Sequence, residues 1–196
     1  MPLIEVRQLT PHVRMGLWRI EEQGTGGSVQ ECSPRQRERM AVQQLLTAMT
    51  DDPTLTIDHE PNGKPFLTPH HSPLTTHQSP LTIHLSISHT KGYAVLVLSD
   101  EGPVGVDIEY RSDRVERISS RFIRSDEPAS TTDEKLLVWS AKEAVYKLFS
   151  EDNLMFFDMR TLNIGEHHLQ MENLKRNIVV DVCYEFTNDY VLTYVV

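Results

Sequence analysis

Asp107 and Glu109 stand two residues apart in Val104-Gly105-Val106-Asp107-Ile108-Glu109, a β-branched apolar run. A strand repeats every two residues, so both carboxylates leave the same face. Side by side on an otherwise apolar strand they repel each other, and burial sharpens the repulsion. A cation over the pair relieves it. A hard divalent ion such as Mg²⁺ suits carboxylate oxygens together with substrate phosphates. The plainer alternative is a strand reaching a solvated rim with two surface acids. Further on, Trp139-Ser140-Ala141-Lys142-Glu143-Ala144-Val145-Tyr146-Lys147 sets Glu143 and Lys147 four apart, with Trp139 four before Glu143. On a helix these three share a side. Alone, Glu143 and Lys147 make a surface pair contributing roughly 0.2–0.5 kcal/mol. With Asp107 and Glu109, three carboxylates can coordinate Mg²⁺ while Lys147 puts positive charge beside a bridging phosphate. Such a set suits transfer at a pyrophosphate, where catalysis is largely positioning and charge stabilisation.

The elements that must position these groups are legible to different degrees. Asp133 to Phe149 is the strongest helix, with Leu136, Leu137, Trp139, Ala144, Val145 and Leu148 as apolar contacts and Thr131 with Glu134 as a capping box. An earlier helix begins at Ser33-Pro34 with Gln36 three residues after the serine, and carries the stripe Met40, Ala41, Leu45, Ala48 and Met49. It opens with Arg35, Arg37 and Arg39, cations that oppose the helix dipole, which points either to a ligand or to a solvated face. Strands are expected over Leu3 to Leu9, Leu55 to Ile57, Leu85 to His89, Tyr93 to Ser99, Val104 to Glu109, Ile178 to Val182 and Tyr190 to Val196, with Val13 to Ile20 as an extended or mixed segment. Strand signals between Leu154 and Asn177 are weak. Arg114, Arg117, Arg121 and Arg124 fall at helical spacing, opposite Val115, Ile118 and Phe122. That basic stripe reads either as a docking surface for an acidic partner or as a solvated helix face. A helix-poor, strand-rich end fits an α+β protein.

Glu21 to Glu31, with three glycines, reads as a loop. Thr68 to Ile83 is rich in His, Thr, Ser and Pro and holds a near-tandem echo, Ser72-Pro-Leu-Thr-Thr-His77 and Ser79-Pro-Leu-Thr-Ile-His84, expected as a lengthened surface loop. The spacing of His59, His70, His71, His77 and His84 matches no compact zinc pattern.

The chain has 196 residues, enough for one large domain or two small lobes. A net charge of −9 argues against a general nucleic-acid binder. Two distant cysteines, Cys32 and Cys183, fit a reducing compartment better than a disulfide framework. No signal peptide or membrane-spanning run is legible, so the expected setting is the cytoplasm, away from membranes.

Gly63-Lys64-Pro65, then Ser86-Ile87-Ser88-His89, then the Val104–Glu109 run, then Phe122 with Glu127, and finally Trp139-xx-Lys142-Glu143-Ala144-xx-Lys147 occur in an order that resembles the 4'-phosphopantetheinyl transferase superfamily. The length is similar to its longer, two-lobed (surfactin-synthetase-activating) type, not to the short trimeric type. The resemblance spans residues 33 to 149 and fades after Leu154.

It implies an enzyme with holo-[acyl-carrier-protein] synthase activity: transfer of the phosphopantetheine arm of coenzyme A to a serine of an apo acyl or peptidyl carrier protein, releasing adenosine 3',5'-bisphosphate. It implies Mg²⁺, with Mn²⁺ as a substitute, on Asp107, Glu109 and Glu143, and it makes Glu143 also a candidate base. It assigns coenzyme contacts to Arg37 (with Arg35 nearby), Lys64, Pro65, Ser88, His89, Lys142 and Lys147. The catalytic set is Asp107, Glu143 and Lys147. Relatives often carry Trp and a second Arg near Arg39 and Gln43, a departure that touches the coenzyme contacts and no metal ligand. The expected architecture is two α+β lobes, residues 1–101 and 102–196, each a small three-stranded antiparallel sheet on a long helix and related by a pseudo-twofold. The coenzyme is expected between the lobes, the carrier protein on Arg111–Arg124, and the chain as a monomer. The alternative is a non-catalytic coenzyme A or nucleotide binding protein on the same scaffold.

Overall fold

Two capping boxes fix where the two long helices begin. Ser33 Oγ accepts from Gln36 N while Gln36 Oε1 accepts from Ser33 N, and Pro34 supplies the first turn of α1 (Pro34–Thr50). Thr131 Oγ1 likewise accepts from Glu134 N at the start of α2 (Thr132–Leu148). Glu134 Oε2 accepts from the backbone N–H of Thr131 and from the N–H and hydroxyl of Ser130, which holds its carboxyl down to about 2.

The structure is a computed structural model that describes residues 2–21, 32–69 and 83–196. The glycine segment from residue 22 and the Ser/Thr/His/Pro echo, with His70, His71 and His77, lie outside the described residues. The chain divides into two compact units, Met1–Gly102 and Pro103–Val196.

The first unit is a four-stranded antiparallel sheet with α1 on one face. In chain order its strands are β1 (Leu3–Thr10), β2 (Val13–Arg19), β3 (Leu55–His59), β4 (Pro65–Pro69), β5 (His84–Thr90) and β6 (Tyr93–Ser99). The sheet order is β1-β2-β6-β5, and β3 and β4 form a separate hairpin. Leu45, Leu46 and Met49 of α1 pack on Leu85, Leu96 and Leu98, with Trp18 at the margin. The buried stripe of α1 is Ala41, Val42, Leu45, Leu46 and Met49. Met40 and Ala48, expected in that stripe, are exposed.

The second unit is a five-stranded antiparallel sheet with α2 on one face. Its strands are β7 (Gly105–Tyr110), β8 (Met159–Ile164), β9 (His168–Asn173), β10 (Ile178–Phe186) and β11 (Tyr190–Val195), in the order β7-β11-β10-β9-β8. Both units are therefore a small antiparallel sheet on one long helix, the expected α+β plan. The sheets have four and five strands, not three. The additional strands of the second unit include β8 and β9, which carry few apolar residues (Met159, Leu162 and Ile164 in β8, Leu169 and Met171 in β9) and were faint in the sequence.

The arginine-rich segment departs from expectation. It is not an α-helix but two short 3₁₀ turns, Asp113–Arg117 and Ser119–Arg121, broken at Ile118. A 3₁₀ turn repeats every three residues, so Arg114 and Arg117 lie above one another while Val115 and Phe122 are buried.

Gly105 sets how closely β7 and α2 meet. A Cβ there would lie 2.0 Å from the Ala144 carbonyl oxygen and 3.0 Å from Leu148 N. Both are backbone atoms, so an added methyl group can be accommodated only by lifting the helix. Gly105→Ala is expected to cost about 1–3 kcal/mol or more, read as a lowered denaturant midpoint. Gly102→Ala, with nothing within 4 Å of its Cβ, is the control. A Gly105→Ala midpoint equal to that control would contradict the close approach.

Candidate active site

On β7, Gly105, Asp107 and Glu109 share the face that meets α2. Gly105 lies against Ala144 and Leu148, Asp107 meets Lys147, and Glu109 meets Trp139. The strand and helix run in opposite senses, from Ala144 and Leu148 at Gly105 back to Trp139 at Glu109. Ser140 and Thr193, both buried, share a hydrogen bond of 2.9 Å that fastens α2 to β11 beside Asp107, which pairs with Thr193 in the sheet. Val106 and Ile108 point from the other face and are buried too.

Lys147 Nζ donates to Asp107 Oδ1 at 2.9 Å and to the Val106 carbonyl at 2.8 Å. Trp139 Nε1 donates to Glu109 Oε1 at 2.7 Å. The Trp139 ring is itself wedged between Phe122 and Phe156, each with its centroid 5.0 Å away. Burial pushes the Glu109 carboxyl up to about 7, reinforced by the charges of Asp107 and Glu143 and opposed by Trp139 and Lys147. Burial and the charge of Asp107 also raise Glu143, against the opposing charge of Lys147. Glu109 and Glu143 thus both have raised proton affinity beside the Asp107 carboxylate and the Lys147 ammonium.

An all-carboxylate donor set under mutual repulsion fits a hard dication such as Mg²⁺. The side chains are not drawn into a cage: among the described residues, no group of three or more His, Cys, Asp or Glu is disposed to hold a metal ion. Lys147 and Trp139 each hold one of the acids instead.

The raised carboxyl has a consequence for the divalent-free protein. In the unfolded chain Glu109 ionises near 4.5, and in the folded protein near 7. Between those values the unfolded state loses its proton first, so stability falls as pH rises from about 4.5 through about 7 and levels off above. The expected loss is as much as about 3 kcal/mol, and Glu109→Gln should flatten that part of the curve. Urea melts in chelator across this range check it; parallel curves for the two proteins would contradict the assignment.

The remaining candidates are dispersed. Lys142 does not join the carboxylates. It is fully buried, and its Nζ donates to Glu127 Oε2 at 2.8 Å, to the Phe122 carbonyl at 2.6 Å and to the Phe156 carbonyl at 3.2 Å. Burial pulls its pKa below the ordinary lysine range, and Glu127 opposes that. In the first unit, Arg37 Nη1 donates to the Cys32 carbonyl at 2.9 Å in the first turn of α1, while Arg35 is exposed. His89 Nδ1 stands 3.6 Å from Glu38 Oε2, which brings the end of β5 to the residue next to Arg37. Ser88 is buried and leaves the opposite face of β5. Lys64 and Pro65 sit where the β3–β4 hairpin turns, with Gly63 at φ 89° and Asn62 Oδ1 accepting from Lys64 N.

Two residues of this site escaped sequence reasoning. The i, i+4 spacing placed Trp139 beside Glu143, but its hydrogen bond to Glu109 depends on the register of β7 against α2. Glu127 stood in the motif order without a role, and becomes the counter-ion of Lys142.

The model of the 4'-phosphopantetheinyl transferase superfamily matches residues 103–195. The match covers the second unit, which is similar to that superfamily from the start of β7 to the end of β11. The matched segment contains all three carboxylates, Lys147, Trp139 and the Lys142–Glu127 pair. No curated protein matches the chain. Among the described residues, no helix is long and apolar enough to cross a membrane.

Proposed function

We propose that the protein transfers the phosphopantetheine arm of coenzyme A to a serine of an apo acyl or peptidyl carrier protein, as a holo-[acyl-carrier-protein] synthase of the longer two-lobed type. The observation that carries this reading is the convergence of Asp107, Glu109, Glu143 and Lys147 on the facing surfaces of β7 and α2, inside the segment that matches the phosphopantetheinyl transferase family.

In the proposed step the carrier serine Oγ attacks the β-phosphorus of coenzyme A. The new O–P bond forms as the bond from that phosphorus to the bridging oxygen breaks. Adenosine 3',5'-bisphosphate leaves with the electron pair, and the serine proton passes to a base. Asp107, Glu109 and Glu143 are the residues that would hold Mg²⁺, or Mn²⁺ in its place. When bound, the ion supplies charge neutralisation at the pyrophosphate. Lys147 is close enough to the same carboxylates to bring its charge to a phosphate oxygen. Glu143 is assigned first as a ligand. Its raised proton affinity suits a base at neutral pH, and a cation beside it lowers that affinity again.

Arg37, Lys64, Pro65, Ser88 and His89 are the proposed coenzyme contacts of the first unit, carried over from the resemblance. The approach of His89 to the first turns of α1 supports reading it together with Arg37. Lys142 is left out of that set because its ammonium is enclosed by protein acceptors. The carrier protein is proposed to dock on Arg111–Arg124. Both described cysteines are free, which supports a reducing, cytoplasmic setting, and a self-sufficient monomer is proposed.

Incubation with coenzyme A, Mg²⁺ and an acidic apo carrier protein, read by intact mass, tests the reading. The expected result is a gain of one phosphopantetheine per carrier. Coenzyme A binding with no mass gain on several carriers, with Mg²⁺ or Mn²⁺, would make the protein a binder and sink the transfer.

A further inference from the structure

The chain that follows α2 turns at Phe156–Asp158 and presents two apolar side chains outward from a fixed base. Phe156 points in, against Trp139 and at 6.2 Å from Phe122. Its neighbours Met155 and Phe157 point out and are 70% and 47% exposed. The tip is pinned from several sides. Asp158 Oδ2 accepts from Met155 N at 2.8 Å, Asp158 N donates to the Met155 carbonyl at 2.9 Å, and Lys175 Nζ reaches Asp158 at 3.2 Å. Arg124 Nη1 donates to the Phe157 carbonyl at 2.9 Å. Apolar groups held exposed by such a base are a marker of an interaction surface.

Arg124 is also the last residue of the arginine segment, so the apolar tip and the basic turns are joined. Within that segment Arg111 pairs with Asp133 and Arg124 with Asp126. Glu116 is taken by Lys135 and Thr132. Arg114, Arg117 and Arg121 are exposed and form no ion pair among the described residues. On a chain of net charge −9, three uncompensated arginines in a segment that Arg124 ties to an apolar tip call for a partner surface with carboxylates around an apolar side chain.

We propose that Met155 and Phe157 form the apolar half of the docking surface for the acidic carrier protein, with Arg114, Arg117 and Arg121 as its charged half. This rests on the transfer reading. Met155 adapts its unbranched thioether to the partner, Phe157 gives a stiff contact, and the arginines fix register and speed encounter.

The test is steady-state transfer to an acidic apo acyl carrier protein by the double variant Met155→Ser/Phe157→Ser, beside Arg117→Glu/Arg121→Glu and Met155→Leu. For the serine variant KM for the carrier should rise about tenfold, while kcat and KM for coenzyme A stay at wild-type values. Met155→Leu should keep the wild-type KM, and the arginine variant should raise it in a manner that added salt diminishes. Binding of a fluorescently labelled apo carrier should weaken in parallel. An unchanged carrier KM in the serine variant, with wild type active, overturns this inference and leaves the transfer reading standing. So does a wild-type dimer in sedimentation that the serine variant abolishes, because the tip then belongs to a second copy. If wild type neither transfers nor binds any carrier, the transfer reading fails first and takes the docking surface with it.

Discussion

Glu143→Gln is expected to abolish transfer while the protein stays folded. Glutamine keeps the length and shape of the side chain, so the packing of α2 on β7 is retained. It removes a negative charge whose burial beside Asp107 is already unfavourable. With the like charge gone, the divalent-free protein should be as stable as wild type or more so at and above neutral pH, since a carboxyl of raised proton affinity weakens the fold once it ionises. The same change removes a ligand oxygen and a proton acceptor together, and neither role survives in a neutral amide. Intact-mass assays with coenzyme A, Mg²⁺ and apo carrier should give no modified carrier over times in which wild type goes to completion, and a thermal melt should show no loss of Tm. A decline in activity tracked by a lowered Tm would make Glu143 a structural residue. Wild-type transfer by the variant would remove it from the site.

The juxtaposition behind that expectation was half written in the sequence. Alternation placed Asp107 and Glu109 on one face of a strand, and the i, i+4 rule placed Trp139, Glu143 and Lys147 on one side of a helix. Both rules are local and both hold. That the two surfaces face each other depends on Gly105, whose missing side chain lets the backbone of Ala144 approach β7. A glycine in an apolar strand announces a close approach without saying to what. The capping boxes at Ser33 and Thr131 were legible for the same local reason. The arginine stripe misled because residues 114, 117 and 121 satisfy α-helical spacing, whereas the segment needs to bury only Val115 and Phe122 and does so with two short 3₁₀ turns. Lys142 misled differently. A lysine within a cationic motif reads as a ligand group, and nothing local reveals that a glutamate 15 residues earlier and two carbonyl groups will close around it.

Lys142→Met is therefore expected to destabilise the second unit by about 3–5 kcal/mol, the range for breaking a buried ion pair by removing one partner. The methionine fills much of the same volume, so the loss is electrostatic more than steric. Glu127, whose side chain is fully enclosed, is left with its charge uncompensated. The Phe122 and Phe156 carbonyls lose their common donor. Among the described residues Glu127 retains the Arg124 and Thr161 N–H groups, which donate to its two oxygens at 2.7 Å each. Adding Glu127→Gln removes the stranded charge and keeps one of those acceptors, so the double variant should be less destabilised than the sum of the two single changes. A double-mutant cycle on urea midpoints measures that coupling. The pair also anchors the Phe122 and Phe156 backbones on either side of Trp139, so a loosened Lys142 should be felt at Glu109 as well. The competing expectation, that Lys142 contacts the coenzyme, makes the opposite prediction: a Lys142→Met protein of wild-type stability with weakened coenzyme A binding. The urea midpoint of that one variant separates a buried counter-ion from a phosphate ligand.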